Sequence, residues 1–241
     1  MRISEESDWV PAAVVSLGFI LNAAIALRGR RAESDLILTA CFALALILTG
    51  ARYWRPGLAL PPVGSAVGLA FEVVGVRYGI PFGRYSYSEF GPEILEVPVP
   101  VVIAWGIYLF VCYSAASSLT RRVWARVALA SAMMVALDLA VDPVMVAQGA
   151  WSWEEGGPWF GIPLSNFLGW FTVSAVALCL FTKIFGGAAL PPRTSPMWRV
   201  AYLASFVPLM SMAQGSVVAP ALLAPAVGAA LLWLGSHLDF S

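Results

Sequence analysis

This chain is poor in charge. Asp, Glu, Lys and Arg together make up 12% of its 241 residues, about half the ~25% of an ordinary soluble domain. Acids and bases balance at fourteen each, for a formal net charge of zero, which leaves no basic surface for nucleic acid. Histidine occurs once, as His237, near the end of the chain. A Ser-His-Asp triad and a histidine metal site are thereby excluded. The three cysteines, Cys41, Cys112 and Cys179, lie singly in apolar runs with neither metal-ligand spacing nor an obvious pairing, and read as small packing residues. The first residues, MRISEESDWVP, lack the basic n-region of a cleaved signal, so the first apolar run reads as a retained span. No redox motif, phosphate loop, metal cluster or aspartate-rich diphosphate site is found, and no cofactor is expected.

Apolar sequence is abundant. Hydrophobic residues make up 60% of the chain, and mean hydropathy is +0.80. Runs of roughly 20 apolar residues recur along the whole length, enough to cross a bilayer core of ~30 Å. The expected fold is all-α: one integral membrane domain over residues 1–241, a bundle of eight spans at about 9–27, 35–51, 61–80, 97–119, 124–149, 163–185, 197–214 and 217–236. Only QGS separates the last two. With eight spans both termini share a side. That side collects Arg2, Arg52, Arg55, Arg121, Arg122, Arg126, Lys183, Arg193 and Arg199, against Arg28, Arg30, Arg31, Arg77 and Arg84 on the other. The positive-inside rule then places the termini in the cytoplasm of a cell-membrane protein, although RGRR in the first connector argues the other way.

Two segments, 72–105 and 142–170, match in order. Each begins with an acid (Glu72, Asp142) and reaches a glycine seven residues later (Gly79, Gly149). Each continues with aromatic-Ser-aromatic, Tyr85-Ser86-Tyr87 and Trp151-Ser152-Trp153. Gly-Pro follows at 91–92 and 157–158, then aliphatic-Pro (Val97-Pro98, Ile162-Pro163), then a tryptophan seven residues on (Trp105, Trp170). The matches fit a parallel duplication of two span-loop-span hairpins with a site between them. They also fit two independent hairpins with similar interface chemistry. If Gly79 and Gly149 end their helices, Glu72 and Asp142 both sit about 10 Å below that membrane face, at ~1.5 Å per residue. Asp138 lies one turn deeper on the same helix face as Asp142.

Carboxyl groups at such depth cost several kcal/mol unless paired, protonated or hydrated, and mark functional sites facing a bundle interior. The alternative is a buried hydrogen-bond network that fixes the third and fifth spans. Pro143 removes a backbone N–H and leaves a carbonyl one turn back in need of a partner. Asn166 is either a helix cap or a ligand to water or an acid. Trp9, Tyr53, Trp54, Trp124, Trp198 and Trp233 read as belt or packing residues. Tyr85, Tyr87, Trp105, Trp151, Trp153 and Trp170 bracket the acids and are candidates to line a pocket. Arg77 and Arg84 have the acids or the loop carboxylates Glu89, Glu93, Glu96, Glu154 and Glu155 as partners, with solvated loop charge as the simpler reading.

Acids in a dry, aromatic-walled pocket suit one chemistry. A neutral carboxyl protonates an isolated C=C, ring faces and a second carboxylate hold the carbocation, and water, an internal alkene or proton loss ends the reaction. Glu72, Asp138 and Asp142 are the candidate catalytic acids.

At these residues the chain resembles the CruF-type membrane carotenoid hydratases, which include the bisanhydrobacterioruberin hydratases. The resemblance rests on Glu72, Gly75, Gly79, PFG at 81–83 with Tyr85 and Tyr87, LDLAVDP at 137–143, Gly149 with Trp151 and Trp153, and GIPLSNFLGW at 161–170. It covers roughly Glu72 to Trp170. It implies cofactor-free addition of water to the terminal C1=C2 bond of an acyclic carotenoid end group. Such a substrate is as apolar as the bilayer interior and is expected to enter sideways from membrane lipid, and other carotenoid-pathway membrane enzymes are candidate partners. Tyr78 departs from the family pattern, which leads one to expect a smaller hydroxyl residue there. Two rival readings remain, an end-group cyclase sharing the protonation step and a non-catalytic transporter or assembly protein.

Overall fold

The computed structural model describes residues 9–29, 31–52, 54–88, 91–186 and 194–237. Arg2, Arg30, Tyr53, Glu89 and Arg193 lie outside them. The chain forms α1 (Trp9–Ala26), α2 (Arg31–Arg52), α3 (Leu60–Tyr78), α4 (Val99–Ser117), α5 (Val123–Ala147), α6 (Leu164–Phe185), α7 (Met197–Ala204), α8 (Val207–Met212) and α9 (Val218–His237). Seven helical segments are long and apolar enough to cross a membrane: Trp9–Ala26, Glu33–Ala51, Arg55–Tyr78, Val99–Ser117, Val123–Ala147, Leu164–Phe185 and Gly215–His237. The protein is an all-α, multi-span membrane bundle.

The expected span at 197–214 is not one helix. It is built from α7 and α8, with the break at Ser205 and Phe206. Pro208 has no N–H to offer the Ala204 carbonyl, and the Ser205 hydroxyl turns back to the Tyr202 carbonyl at 2.5 Å. The broken pair still runs the length of the bundle. At its start Arg199 donates to Ser118 Oγ and O at 2.9 and 3.0 Å. At its end the Met212 carbonyl accepts from Gln148 Nε2 at 3.3 Å.

Helices α3, α4, α5 and α6 touch in a closed ring, α3 to α4, α4 to α5, α5 to α6 and α6 back to α3. Around it, α1 pairs with α2 and with α7, and α9 lies along α5. The ring holds the most buried spans, α4 and α5. Large side chains on its helices are fully enclosed, among them Phe110, Tyr113, Met133 and Phe181, and Phe110 packs outward against Phe42 of α2 and Trp198 of α7. The outer helices present Leu17, Ile47, Leu222 and Trp233 on their exposed faces, where hydrocarbon rather than water would meet them. Trp9 and Trp124 are likewise exposed, whereas Trp54 and Trp198 are packed inside.

Turn chemistry sets where the ring helices begin and end. Gly79 caps α3 at φ +72°, with its N–H on the Gly75 carbonyl, and Gly149 follows α5 at φ +73°. Such left-handed positions favour glycine and stop a helix. Pro98 and Pro163 stand at the N-caps of α4 and α6, where a missing N–H costs nothing. Two small ribbons interrupt the helical pattern. Strand β1 (Tyr85–Tyr87) pairs antiparallel with β4 (Trp151–Trp153), while β2 (Glu93–Ile94) pairs with β3 (Val97–Pro98) in a hairpin. The hairpin turns through Leu95 and Glu96, both at positive φ, and Arg77 pairs with Glu96 at 2.9 Å.

Candidate active site

The β1–β4 ribbon joins the two loops that the sequence reading had set side by side. Tyr85 faces Trp153, Ser86 faces Ser152 and Tyr87 faces Trp151. The ladder continues through Ser88 N–H to Ala150 O and Glu154 N–H to Arg84 O, both 2.9 Å. Alternate residues of a strand point to opposite faces. The serines are therefore exposed while Tyr85 and Trp151 are buried beneath them. The ribbon roofs a cavity of about 60 Å³, room for about four water-sized spheres. Its walls include Glu72 from α3, Trp105 from α4, Asp142 from α5, Asn166 and Trp170 from α6, and Tyr85, Tyr87, Trp151 and Trp153 from the ribbon.

Glu72 lies on one wall, 5% exposed. Its Oε2 accepts hydrogen bonds from the hydroxyls of Tyr85 and of Tyr87, the latter at 2.7 Å. Its Oε1 accepts the indole N–H of Trp105 at 2.9 Å. Burial, then the charge of Glu72, pushes both phenols above the ordinary tyrosine range, so they remain neutral donors. Trp105 also stacks on Trp170, with ring centroids 4.5 Å apart.

Asp138 and Asp142 lie across the ring on α5, one turn apart and buried. One atom joins them. Asn166 Nδ2 donates to Asp138 Oδ2 at 2.7 Å and to Asp142 Oδ2 at 2.5 Å. The indole of Trp151 also hydrogen-bonds Asp142. Asp142 lines the cavity, and Asp138 stands behind it, with Oδ1 buried and without a hydrogen-bond partner among the described residues. Asn166 is not the cap of α6. Pro163 holds that position, and the Asn166 side chain is spent on the two acids.

The carbonyl left over by Pro143 is that of Leu139, and it accepts the indole N–H of Trp159 at 3.1 Å. Trp159 was not singled out by its sequence context, because its partner lies twenty residues away. Phe82, Val101, Ala104, Tyr108 and Val141 also line the cavity. Phe82 belongs to the PFG motif and Val141 to LDLAVDP, but no spacing relates the other three to the acids. Three ring positions are closed by glycine. A Cβ on Gly68 would run into Trp105 Cγ, one on Gly75 would meet the Tyr85 hydroxyl at 2.7 Å, and one on Gly169 would meet Phe82 Cδ1 at 2.6 Å. Tyr78 is 69% exposed and lines no part of the cavity, so its size does not alter the pocket's shape. Arg77 and Arg84 form no wall of it.

Fold and cavity define a class, a multi-span helical membrane protein with carboxyl groups from two hairpins held in an aromatic chamber. The chain belongs to the carotenoid biosynthesis protein family, whose model matches residues 33–235. It is 35% identical over 200 residues to the bisanhydrobacterioruberin hydratase of Haloarcula japonica, an alignment covering 77% of this chain and 66% of that protein. No solved structure matches it.

Proposed function

We propose that this protein is a carotenoid hydratase, which adds water to the terminal C1=C2 bond of an acyclic end group without a cofactor. The observation that carries this reading is that Glu72 and Asp142, from different helices, line one cavity with the stacked rings of Trp105 and Trp170. A carboxylic acid protonates C2. The tertiary cation at C1 is stabilised by aromatic faces and by a fixed carboxylate, and water captures it. The substrate is as apolar as the bilayer interior and enters sideways from lipid, so that only its tip reaches the chamber. Family membership and likeness to a named hydratase support the same reading. The cell membrane, with cytoplasmic termini, is the proposed location.

Within this reading the segments 72–105 and 142–170 are the two halves of a duplication. The support is that equivalent residues meet one another. Ser86 pairs with Ser152, Trp105 stacks on Trp170, and Glu72 and Asp142 each bond the first aromatic residue of a ribbon strand, Tyr85 and Trp151.

The test is expression in a host that accumulates an acyclic carotenoid, with pigment mass analysis. Hydration adds the mass of water, and the oxygen comes from labelled water and not from labelled dioxygen. A product of unchanged mass with a ring would identify an end-group cyclase, and unaltered pigment would point to a non-catalytic protein.

A further inference from the structure

We propose that the two walls of the chamber hold different protonation states in the resting protein: Asp138 and Asp142 keep one proton between them beside Asn166, and Glu72 is a carboxylate. The inference deepens the hydratase reading and assigns the acids that reading leaves interchangeable.

The donor inventory carries the argument. A carboxylate offers about four acceptor positions and no donor. Glu72 fills three with donors, two phenols on Oε2 and one indole on Oε1. An indole N–H can only donate, so Oε1 accepts and carries no proton toward Trp105. This set suits a full negative charge, and one position on Oε1 remains open for a water molecule. The aspartates are supplied differently. Two carboxyl groups share one amide nitrogen, which has a hydrogen for each, and Asp142 has the Trp151 indole besides, so the pair has three donors where Glu72 alone has three. Asp138 Oδ1 has no partner among the described residues. Two charges so close and so deeply buried repel each other with little to offset them. One shared proton removes the conflict, as in other paired carboxyl sites.

The roles follow from position. Asp142 reaches the cavity and is the proton donor. Asp138, behind it, is a positioning residue that acts through Asp142. In the first step the Asp142 O–H bond breaks, the alkene π pair forms the C2–H bond, and C1 becomes cationic. In the second, water on Glu72 Oε1 forms the C1–O bond and gives its surplus proton to Glu72. The proton returns from Glu72 to the aspartate pair, and the sum is one water added to one double bond.

Infrared spectroscopy of the resting protein tests the assignment without turnover. A neutral carboxylic C=O band should be present and should shift when aspartate carries a ¹³C side-chain carboxyl, with no shift from labelled glutamate. A band that follows glutamate, or no neutral-acid band, overturns the proposal. This isotope arm needs no variant and is independent of whether the protein hydrates carotenoids.

Turnover in deuterated water supplies the second arm. Unhydrated carotenoid recovered from Glu72→Gln should contain deuterium, because protonation still occurs and the cation is lost by deprotonation. From Asp142→Asn it should contain none. Asp138→Asn should lower kcat by ~10²-fold with KM unchanged. The reverse deuterium pattern would sink the assignment, and absence of turnover in the unaltered protein would instead sink the hydratase reading.

Discussion

Trp159 donates its indole N–H to the Leu139 carbonyl, 3.1 Å away, and this is the carbonyl that Pro143 deprives of its helical partner. The contact clamps the turn of α5 that lies between Asp138 and Asp142. A broken backbone bond in the membrane is thereby repaired by a side chain from the following loop.

Trp159→Phe should keep the ring and lose the bond. Leaving a buried carbonyl without a donor costs about 1–3 kcal/mol, read as a lower melting temperature in detergent. Pro143→Ala restores an N–H at that place. In its background the Trp159→Phe penalty should shrink, and equal penalties in both backgrounds would show that the indole bond is not what repairs the helix.

Gly75→Ala should insert and fold yet hydrate poorly. The new methyl would lie 2.7 Å from the Tyr85 hydroxyl and 2.8 Å from Phe82 Cδ2, too close for either to stay. Tyr85 would leave Glu72, and pigment analysis should find unhydrated carotenoid at normal protein levels. Wild-type conversion by this variant would mean that the Tyr85–Glu72 bond is dispensable.

Trp105→Phe and Trp170→Phe should differ. Both keep an aromatic face, but only the first removes a hydrogen bond to Glu72. A hydrogen bond to a charged group is worth about 1.5–3 kcal/mol, so hydration by Trp105→Phe should fall by roughly 10- to 100-fold. Trp170→Phe should stay within a few-fold of the parent. Equal losses would assign the effect to the stack.

Ser86→Cys with Ser152→Cys should crosslink on mild oxidation, because directly paired antiparallel residues meet disulfide distances. Ser86→Cys with Glu154→Cys should not. The readout is a mobility shift after proteolysis between the two loops, and crosslinking of the second pair alone would mean that the β1–β4 register is wrong.

How much of this was legible before the fold was known follows from how local each interaction is. Glu72 and Asp142 each stand seven residues before a glycine, and helical rise alone led one to expect a common depth. The carbonyl freed by Pro143 was also foreseeable, since the defect is intrinsic to proline. Its partner was not, because no local rule connects Trp159 to Leu139. The seventh expected span, 197–214, was less legible for a related reason. Apolar residues dominate from Met197 to Met212 through the Pro208 break, so hydropathy registers one crossing where the backbone makes two helices.

Asn166 marks the boundary most clearly. Its position just after Pro163 was equally compatible with a cap and with a ligand, and the sequence left both open. The sequence by itself determined the membrane class, the placement of acids in apolar helices and the aromatic motifs around them, because these depend on composition and periodicity. Only the tertiary structure decided that one amide nitrogen joins Asp138 to Asp142, that Glu72 takes three donors, and that two distant loops close as a ribbon over them. Hydrogen bonds of this kind depend on the packing of α3, α4, α5 and α6 against each other, and packing is a property of the folded chain as a whole.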